Sequence, residues 1–158
     1  MGRYLLDLHK EDPRLWRHSD ALCDALQVIN HLQDCGADYV NLKRVYLPAD
    51  WLRAEGADIS DLAKSALTPG LRKVLDRCLV KCSQLIEIAA PFPGRLKNVR
   101  LGLESAVIIA LARRLIRELK ARDPLAERVV LSKAQMLGVG LGALLSFFFY
   151  PSRGAHEA

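Results

Sequence analysis

Apolar residues recur three or four positions apart along most of the chain, which is the pattern of amphipathic helices. Leu71, Leu75, Leu79, Cys82 and Ile86 form one such stripe, and a stripe of this kind faces a core. No stretch alternates apolar and polar residues with period two for long. The pattern therefore predicts an all-α fold, an antiparallel helical bundle.

Proline, glycine and capping residues divide the pattern into separate helices. Thr68-Pro69 combines a cap with a favoured first residue, Asn98 and Ser132 are further caps, and Asp58 or Ser60 caps a short helix. The predicted helices run to about 10, from 13 or 19 to about 39, 48–56, 59–67, from 68 to a break at 91–94, 98–122, and from 132 to an end by 151. With no linker visible, residues 1–158 are predicted to form a single helical domain.

Composition narrows the class of protein. Hydrophobic residues make up 51% of the chain, which excludes a disordered protein. The four cysteines form no CxxC pair, so free buried thiols in a reducing cytoplasm are expected rather than disulfides or zinc. The start lacks a basic region followed by an apolar one, so no secretory signal is predicted. The chain opens directly in a helical pattern, as expected of a segment from a larger protein.

The positive charge is unevenly distributed. The net charge is +5, and residues 95–133 hold ten Lys and Arg against four Asp and Glu. One interpretation is a solvated helix face with internal charge pairs such as Arg114–Glu118. Another is attraction to anionic lipid headgroups, which predicts peripheral contact with the inner membrane face. No aromatic–basic interleaving supports nucleic-acid binding, and none is expected.

The last helix is almost uncharged. Residues 134–150 include Gly138, Gly140 and Gly142 and end in Phe147-Phe148-Phe149-Tyr150. The run is slightly short for a membrane span, which needs about 20 apolar residues. Three interpretations remain open: a core helix, a helix docked on a membrane surface, and the wall of an apolar tunnel.

The strongest functional signal is a polar stripe between residues 27 and 48. Asn30, Asp34 and Asp38 follow one another at four-residue spacing, and Gln27 precedes Asn30 by three. On a helix these side chains share one face. Carboxylates one turn apart repel each other unless a cation lies between them, and magnesium prefers oxygen ligands. The alternative is a solvated acidic face, which is the better interpretation for Asp20 and Asp24.

The neighbourhood of Asp34 and Asp38 favours a site. The other faces of this helix are apolar, so part of the stripe could face an interior. Arg44 and Tyr46 follow in a short extended link that ends at Pro48, from which they could fold back toward the carboxylates. His31 lies beside the stripe as a packing or supporting histidine rather than a ligand, because magnesium prefers oxygen.

These residues resemble a known family. Ala25-Leu26-Gln27, Asn30, Asp34, Asp38 and the run Arg44 to Pro48 are similar to the second aspartate-rich motif of the squalene and phytoene synthases. The likeness continues upstream at Gly2-Arg3 and Leu5-Leu6 and downstream at Arg128 to Lys133. It is strongest to the bacterial squalene synthases of hopanoid pathways and covers the C-terminal half of an isoprenoid synthase fold.

The resemblance implies a magnesium-dependent prenyltransferase that condenses two farnesyl diphosphate molecules head to head. It implies Asn30, Asp34 and Asp38 as metal ligands, Asp38 serving either directly or through a metal-bound water. Gln27, Asn30, Arg44 and Tyr46 are the implied substrate-binding residues, with Arg44 and Tyr46 also given catalytic roles. For the complete enzyme, reduction by NADPH is left open.

The chain also departs from the family pattern. No match to the first aspartate-rich motif is present, and the region of Leu111-Ala112-Arg113 lacks the tyrosine that many relatives place before an arginine. The isolated chain is therefore expected to be inactive and to need the N-terminal half or a second copy of itself. The alternative is a non-catalytic truncated homologue, acting as a helical module that binds a partner or lipid.

Overall fold

The structure, a computed structural model, describes residues 2–149, and every regular element in this range is a helix. No strand occurs in it. The elements are α1 (Gly2–Leu8), a 3₁₀ turn (Pro13–Leu15), α2 (Trp16–Leu42), α3 (Ala49–Ala54), a second 3₁₀ turn (Ile59–Ala63), α4 (Pro69–Ala89), α5 (Phe92–Arg95), α6 (Val99–Ala121) and α7 (Lys133–Phe149). The predicted all-α fold is confirmed.

Side-chain caps mark the starts of α4 and α6. The Thr68 side chain accepts a hydrogen bond from the Leu71 backbone N–H, and Asn98 accepts one from Leu101. Asp58, rather than Ser60, caps the second 3₁₀ turn. The break predicted at 91–94 does end α4, at Ala89. A single further turn, α5, begins at Phe92 because Pro93 fits the first turn of a helix.

Contacts between helix ends give the helix directions. His18, near the start of α2, contacts the Ile88 carbonyl at the end of α4, with Nδ1 2.7 Å from the oxygen. Arg72, at the start of α4, donates to the carbonyls of Leu119 and Arg122 at the end of α6, at 3.0 and 3.2 Å. Helices α2 and α4 are therefore antiparallel, and so are α4 and α6, as predicted for a helical bundle.

The core lies between α2, α4 and α6. Ile29 and Leu32 of α2 and Leu75 and Leu79 of α4 are at most 1% exposed. The buried residues of α6 are Leu101, Gly102, Ser105, Ile109, Ala112, Ile116 and Leu119. Burial of one face of α2 turns the opposite face of that helix, which carries the polar stripe, away from the core.

Helix α7 has no buried residue, so it is not a core helix of the described fold. It packs on α6, where Gly102 leaves room for Phe147; a Cβ on Gly102 would come within 3.2 Å of that ring. Its exposed large apolar side chains are Met136, Leu137, Leu141, Leu145, Phe148 and Phe149. No helix within residues 2–149 is long and apolar enough to cross a bilayer. The predicted end of this helix near Pro151 lies outside the described residues.

The cysteines separate into one exposed and three buried thiols. Cys35, Cys78 and Cys82 are buried and unpaired, as expected, whereas Cys23 is exposed, which corrects the prediction for that residue. Removal from water disfavours the charged form and raises the pKa of each buried thiol to about 11.

We therefore expect iodoacetamide at pH 8 to alkylate one thiol quickly, because the thiolate is the reactive species. Mass spectrometry of the native and the denatured chain measures this. The Cys23→Ser variant serves as the control and should show no fast phase. Rapid labelling of two or more sites in the native protein would contradict the described packing.

Candidate functional site

The polar stripe of α2 lies on the outer face of the described bundle. Asn30 and Gln27 are exposed, and Asp34 and Asp38 are half-buried. Ile29 and Leu32, on the opposite face, are buried in the core. The stripe therefore does not face an interior formed by residues 2–149. It is a surface on which a ligand or a further segment could be placed.

The end of α2 turns the chain back along that stripe. Lys43 adopts a left-handed backbone, with φ 56°, and its N–H donates to the Tyr39 carbonyl. The Arg44 N–H donates to the carbonyl of Asp38 at 3.2 Å. A residue with a left-handed backbone, as at Lys43, commonly ends a helix, although glycine is the usual choice. The reversal directs the link from Arg44 to Pro48 back toward the carboxylates.

Because Lys43 carries a Cβ in the left-handed region, we expect Lys43→Gly to stabilise the protein. The left-handed conformation costs a non-glycine residue about 1–2 kcal/mol, and the greater freedom of glycine in the unfolded chain offsets part of the gain. The free energy of unfolding in urea should rise by about 0.5–1 kcal/mol. Lys43→Ala removes the same charge but keeps a Cβ, and it should give no gain.

Tyr46 reaches the stripe through this reversal. Its hydroxyl donates to Asp38 Oδ2 at 2.6 Å, and its ring lies parallel to the His31 imidazole, with 3.9 Å between centroids and 2° between planes. The hydrogen bond to the Asp38 carboxylate is the main cause of a raised pKa for Tyr46, with desolvation second, while the nearby Arg44 side chain acts in the opposite direction. The fold-back predicted for Tyr46 is therefore observed.

The charges around the stripe distinguish its carboxylates from those upstream. Asp20 pairs with Arg3 in a salt bridge, which fits the solvated interpretation given to it. None of the ion pairs formed within residues 2–149 involves Asp34, Asp38 or Arg44. Two carboxylates one turn apart without a cation between them repel each other, and binding of a divalent cation would relieve that repulsion.

A groove of about 600 Å³ opens beside Asp34. Its walls are α2, the second 3₁₀ turn and the loop 124–128, and its basic residues are Lys64 and Arg128. Lys64 is paired with Asp61, whereas Arg128 is exposed and takes part in no ion pair of the described range. The groove thus combines an unpaired carboxylate with an available guanidinium.

Close packing holds the groove walls to α2. The Gln33 amide donates to the Val129 carbonyl at 2.6 Å. A Cβ on Gly36 would lie 2.5 Å from a methyl group of Leu125 and 3.3 Å from the Leu62 carbonyl. A side chain at position 36 would therefore force Leu125 to move and would crowd the second 3₁₀ turn. Sequence reasoning did not assign Arg128 a role, although the run from Arg128 to Lys133 was part of the resemblance.

The donor set suits part of a magnesium site. One amide oxygen and two carboxylates on a single helix face are the hard ligands that magnesium prefers. Within the described part of the chain, no three His, Cys, Asp or Glu side chains gather as candidates for a metal site. Asn30, Asp34 and Asp38 would therefore need further oxygen ligands from substrate, water or another segment.

Comparison with known proteins gives a consistent result. The family model described as squalene/phytoene synthase matches residues 1–135. The hydroxysqualene synthase of Rhodopseudomonas palustris is 46% identical over 92% of this chain and 50% of its own length, and that of Zymomonas mobilis is 43% identical over 94% and 50%. The phytoene synthase of Thermus thermophilus is 36% identical over 55% of the chain and 30% of its own length. The chain thus spans about half the length of the first of these relatives. No solved structure matches it.

Proposed function

Because the chain belongs to the squalene/phytoene synthase family, we propose that it forms part of a prenyltransferase that joins two farnesyl diphosphate molecules head to head. Loss of diphosphate accompanies this reaction. The name hydroxysqualene synthase, carried by two relatives that match nine-tenths of the chain, supports a product of the squalene type and thus a farnesyl substrate. The observation that carries the proposal is the pair of uncompensated carboxylates, Asp34 and Asp38, with Tyr46 folded back against the second.

Five of the residues named from the sequence have a defined task in this proposal. Asn30 and Asp34 bind magnesium, and Asp38 binds it directly or through a coordinated water. Bound magnesium would neutralise the departing diphosphate as a Lewis acid. Gln27 orients the diphosphate or a water, and the planar guanidinium of Arg44 pairs with its oxygens. Arg128, on the opposite wall of the groove from Asp34, is a second candidate for that pairing.

A second groove, of about 280 Å³, supports an apolar ligand. It lies between α5, α6 and α7, and among residues 2–149 Arg113 is the only charged residue that lines it. The other lining residues are Ala90, Pro93, Gly94, Leu96, Val99, Ala106, Ile109, Ala110, Ala143, Ser146 and Phe147. We assign this groove to a prenyl chain, whose carbocation must be kept from water. The tunnel-wall interpretation of α7 follows from that assignment.

The test joins this chain to the part of a relative that the match does not cover. The portion of the Rhodopseudomonas palustris enzyme outside the matched region would be joined to this chain and assayed with farnesyl diphosphate and magnesium. We expect a product containing two farnesyl units from the chimera and none from the chain alone. A matched chimera carrying Asp34→Asn should be inactive, and one carrying Asp24→Asn should be active.

Two results would overturn parts of this proposal. A chimera that folds, with its two portions packed together, but forms no product would favour the alternative of a non-catalytic, partner-binding module. Turnover by the isolated chain would refute its expected inactivity. Folding of each protein is checked by circular dichroism, so that a failure to fold is not counted as either result.

A further inference from the structure

The contact between His31 and Tyr46 has no role in the function described so far. The two rings lie almost face to face, with 3.9 Å between centroids and 2° between planes. Isolated aromatic pairs prefer offset or edge-to-face arrangements, with centroids 4.5–7 Å apart. The observed geometry is therefore imposed by the chain, through the reversal at Lys43 and the hydrogen bond of the Tyr46 hydroxyl.

The contact lies outside the core. Both side chains are half-buried, and neither belongs to the buried cluster or to the residues packed against it. Tyr46 follows three exposed residues, Lys43 to Val45. The stack and the Asp38 hydrogen bond both orient its ring, and removing one should affect the other more than it affects global stability.

We propose that His31 is a positioning residue for Asp38, acting through Tyr46. The imidazole fixes the plane of the Tyr46 ring, and the Tyr46 hydroxyl then occupies Oδ2 of Asp38. Oδ1 remains for a metal ion or for a water bound to one. The inference rests on the proposed function, because it assigns Asp38 to cation binding. Supporting residues that orient a ligand commonly change metal affinity by about 10–100-fold.

His31 can affect Asp38 through Tyr46 because His31 and Asp38 lie on one helix. His31 and Asp38 belong to α2, seven residues and two turns apart on adjacent positions of the same face. Tyr46 lies across both, with its ring on one and its hydroxyl on the other. The helix fixes the spacing of His31 and Asp38. A Tyr46 ring stacked on His31 therefore places its hydroxyl at Asp38. A flexible link alone would leave the Asp38 carboxylate free to rotate.

The test uses four variants of the contact, Asp34→Asn as a variant of the proposed cation site, and manganese as the probe. His31→Ala removes the stack, His31→Phe retains a ring, Tyr46→Phe removes the hydroxyl, and His31→Ala with Tyr46→Phe combines two of these changes. Free Mn²⁺ is measured by electron paramagnetic resonance with inorganic pyrophosphate present. Ring resonances of the labelled tyrosines are recorded in parallel, since a stacked ring shields its partner, and Tyr46→Phe identifies the signal among the four tyrosines.

We expect His31→Ala and Tyr46→Phe each to weaken Mn²⁺ binding by about tenfold, with no further loss in the double variant. His31→Phe should restore both the affinity and the shielded Tyr46 signal.

Additive losses, or wild-type affinity in His31→Ala after the shielding is lost, would overturn the positioning role. If Asp34→Asn abolishes binding and His31→Ala leaves it unchanged, only the positioning role fails. If the wild-type chain binds no Mn²⁺, the proposed site fails and the positioning role fails with it.

Discussion

Replacing Asp34 and Asp38 together by asparagine will remove magnesium-dependent binding of a non-hydrolysable farnesyl diphosphate analogue. Both side chains keep their size and lose their charge, so the change acts on the cation rather than on packing. We expect affinity to fall by about 100-fold or more, because two ligands are lost rather than one supporting contact. Isothermal titration calorimetry with and without magnesium measures the effect.

Asp24→Asn provides a control for each of the two substitutions behind that result. Asp24 lies on the same helix, is exposed, and like Asp34 forms no ion pair within residues 2–149. Ten residues separate it from Asp34, about 15 Å along a helix. Its replacement changes the net charge by the same amount as either single substitution, so unchanged binding is expected. An equal loss in Asp24→Asn would indicate a general electrostatic effect and contradict a defined site.

The second large effect concerns stability. Leu79 of α4 is 0% exposed in the core that α4 forms with α2 and α6. Leu79→Ala removes buried apolar surface and leaves a cavity, which should lower the free energy of unfolding by about 2–5 kcal/mol. Chemical denaturation in urea measures this loss. The buried face of α2 packs in the same core, and the opposite face of α2 carries the polar stripe. The same variant should therefore also weaken ligand binding, because α2 is held less firmly.

Val80→Ala is the control for the core substitution. Val80 is the next residue along α4 and is 49% exposed. Surface changes usually alter stability by no more than about 0.5 kcal/mol. Similar stabilities for the two variants would contradict the assignment of Leu79 to the core.

The features that the sequence predicted correctly depend on residues close together along the chain. Thr68 and Asn98 were predicted to cap helices because a side-chain oxygen can satisfy the free N–H groups at a helix start, and both do so. The core stripe of α4 follows from apolar spacing alone. Tyr46 was predicted to approach the carboxylates because Pro48 limits the length of the link, and its hydroxyl does bond Asp38.

Other features depend on contacts that no local pattern encodes. Helix α2 extends three residues beyond the predicted end at Tyr39 because Lys43, rather than a glycine, takes the left-handed conformation that ends it. The partner of His31 lies 15 residues away and depends on that reversal. Exposure of Cys23 depends on which face of α2 packs inward, and exposure along α7 depends on which helices cover it. Periodicity shows that a face is apolar but not whether another segment covers it.

The central claim is that Asn30, Asp34 and Asp38 hold a divalent cation beside a diphosphate. The most direct measurement is paramagnetic broadening of amide resonances in the isotopically labelled chain on addition of Mn²⁺ and pyrophosphate. We predict that signals from the stripe and from the facing Arg128 disappear first, while those of α1 persist. Broadening centred elsewhere, or uniform broadening along the chain, would contradict the claim.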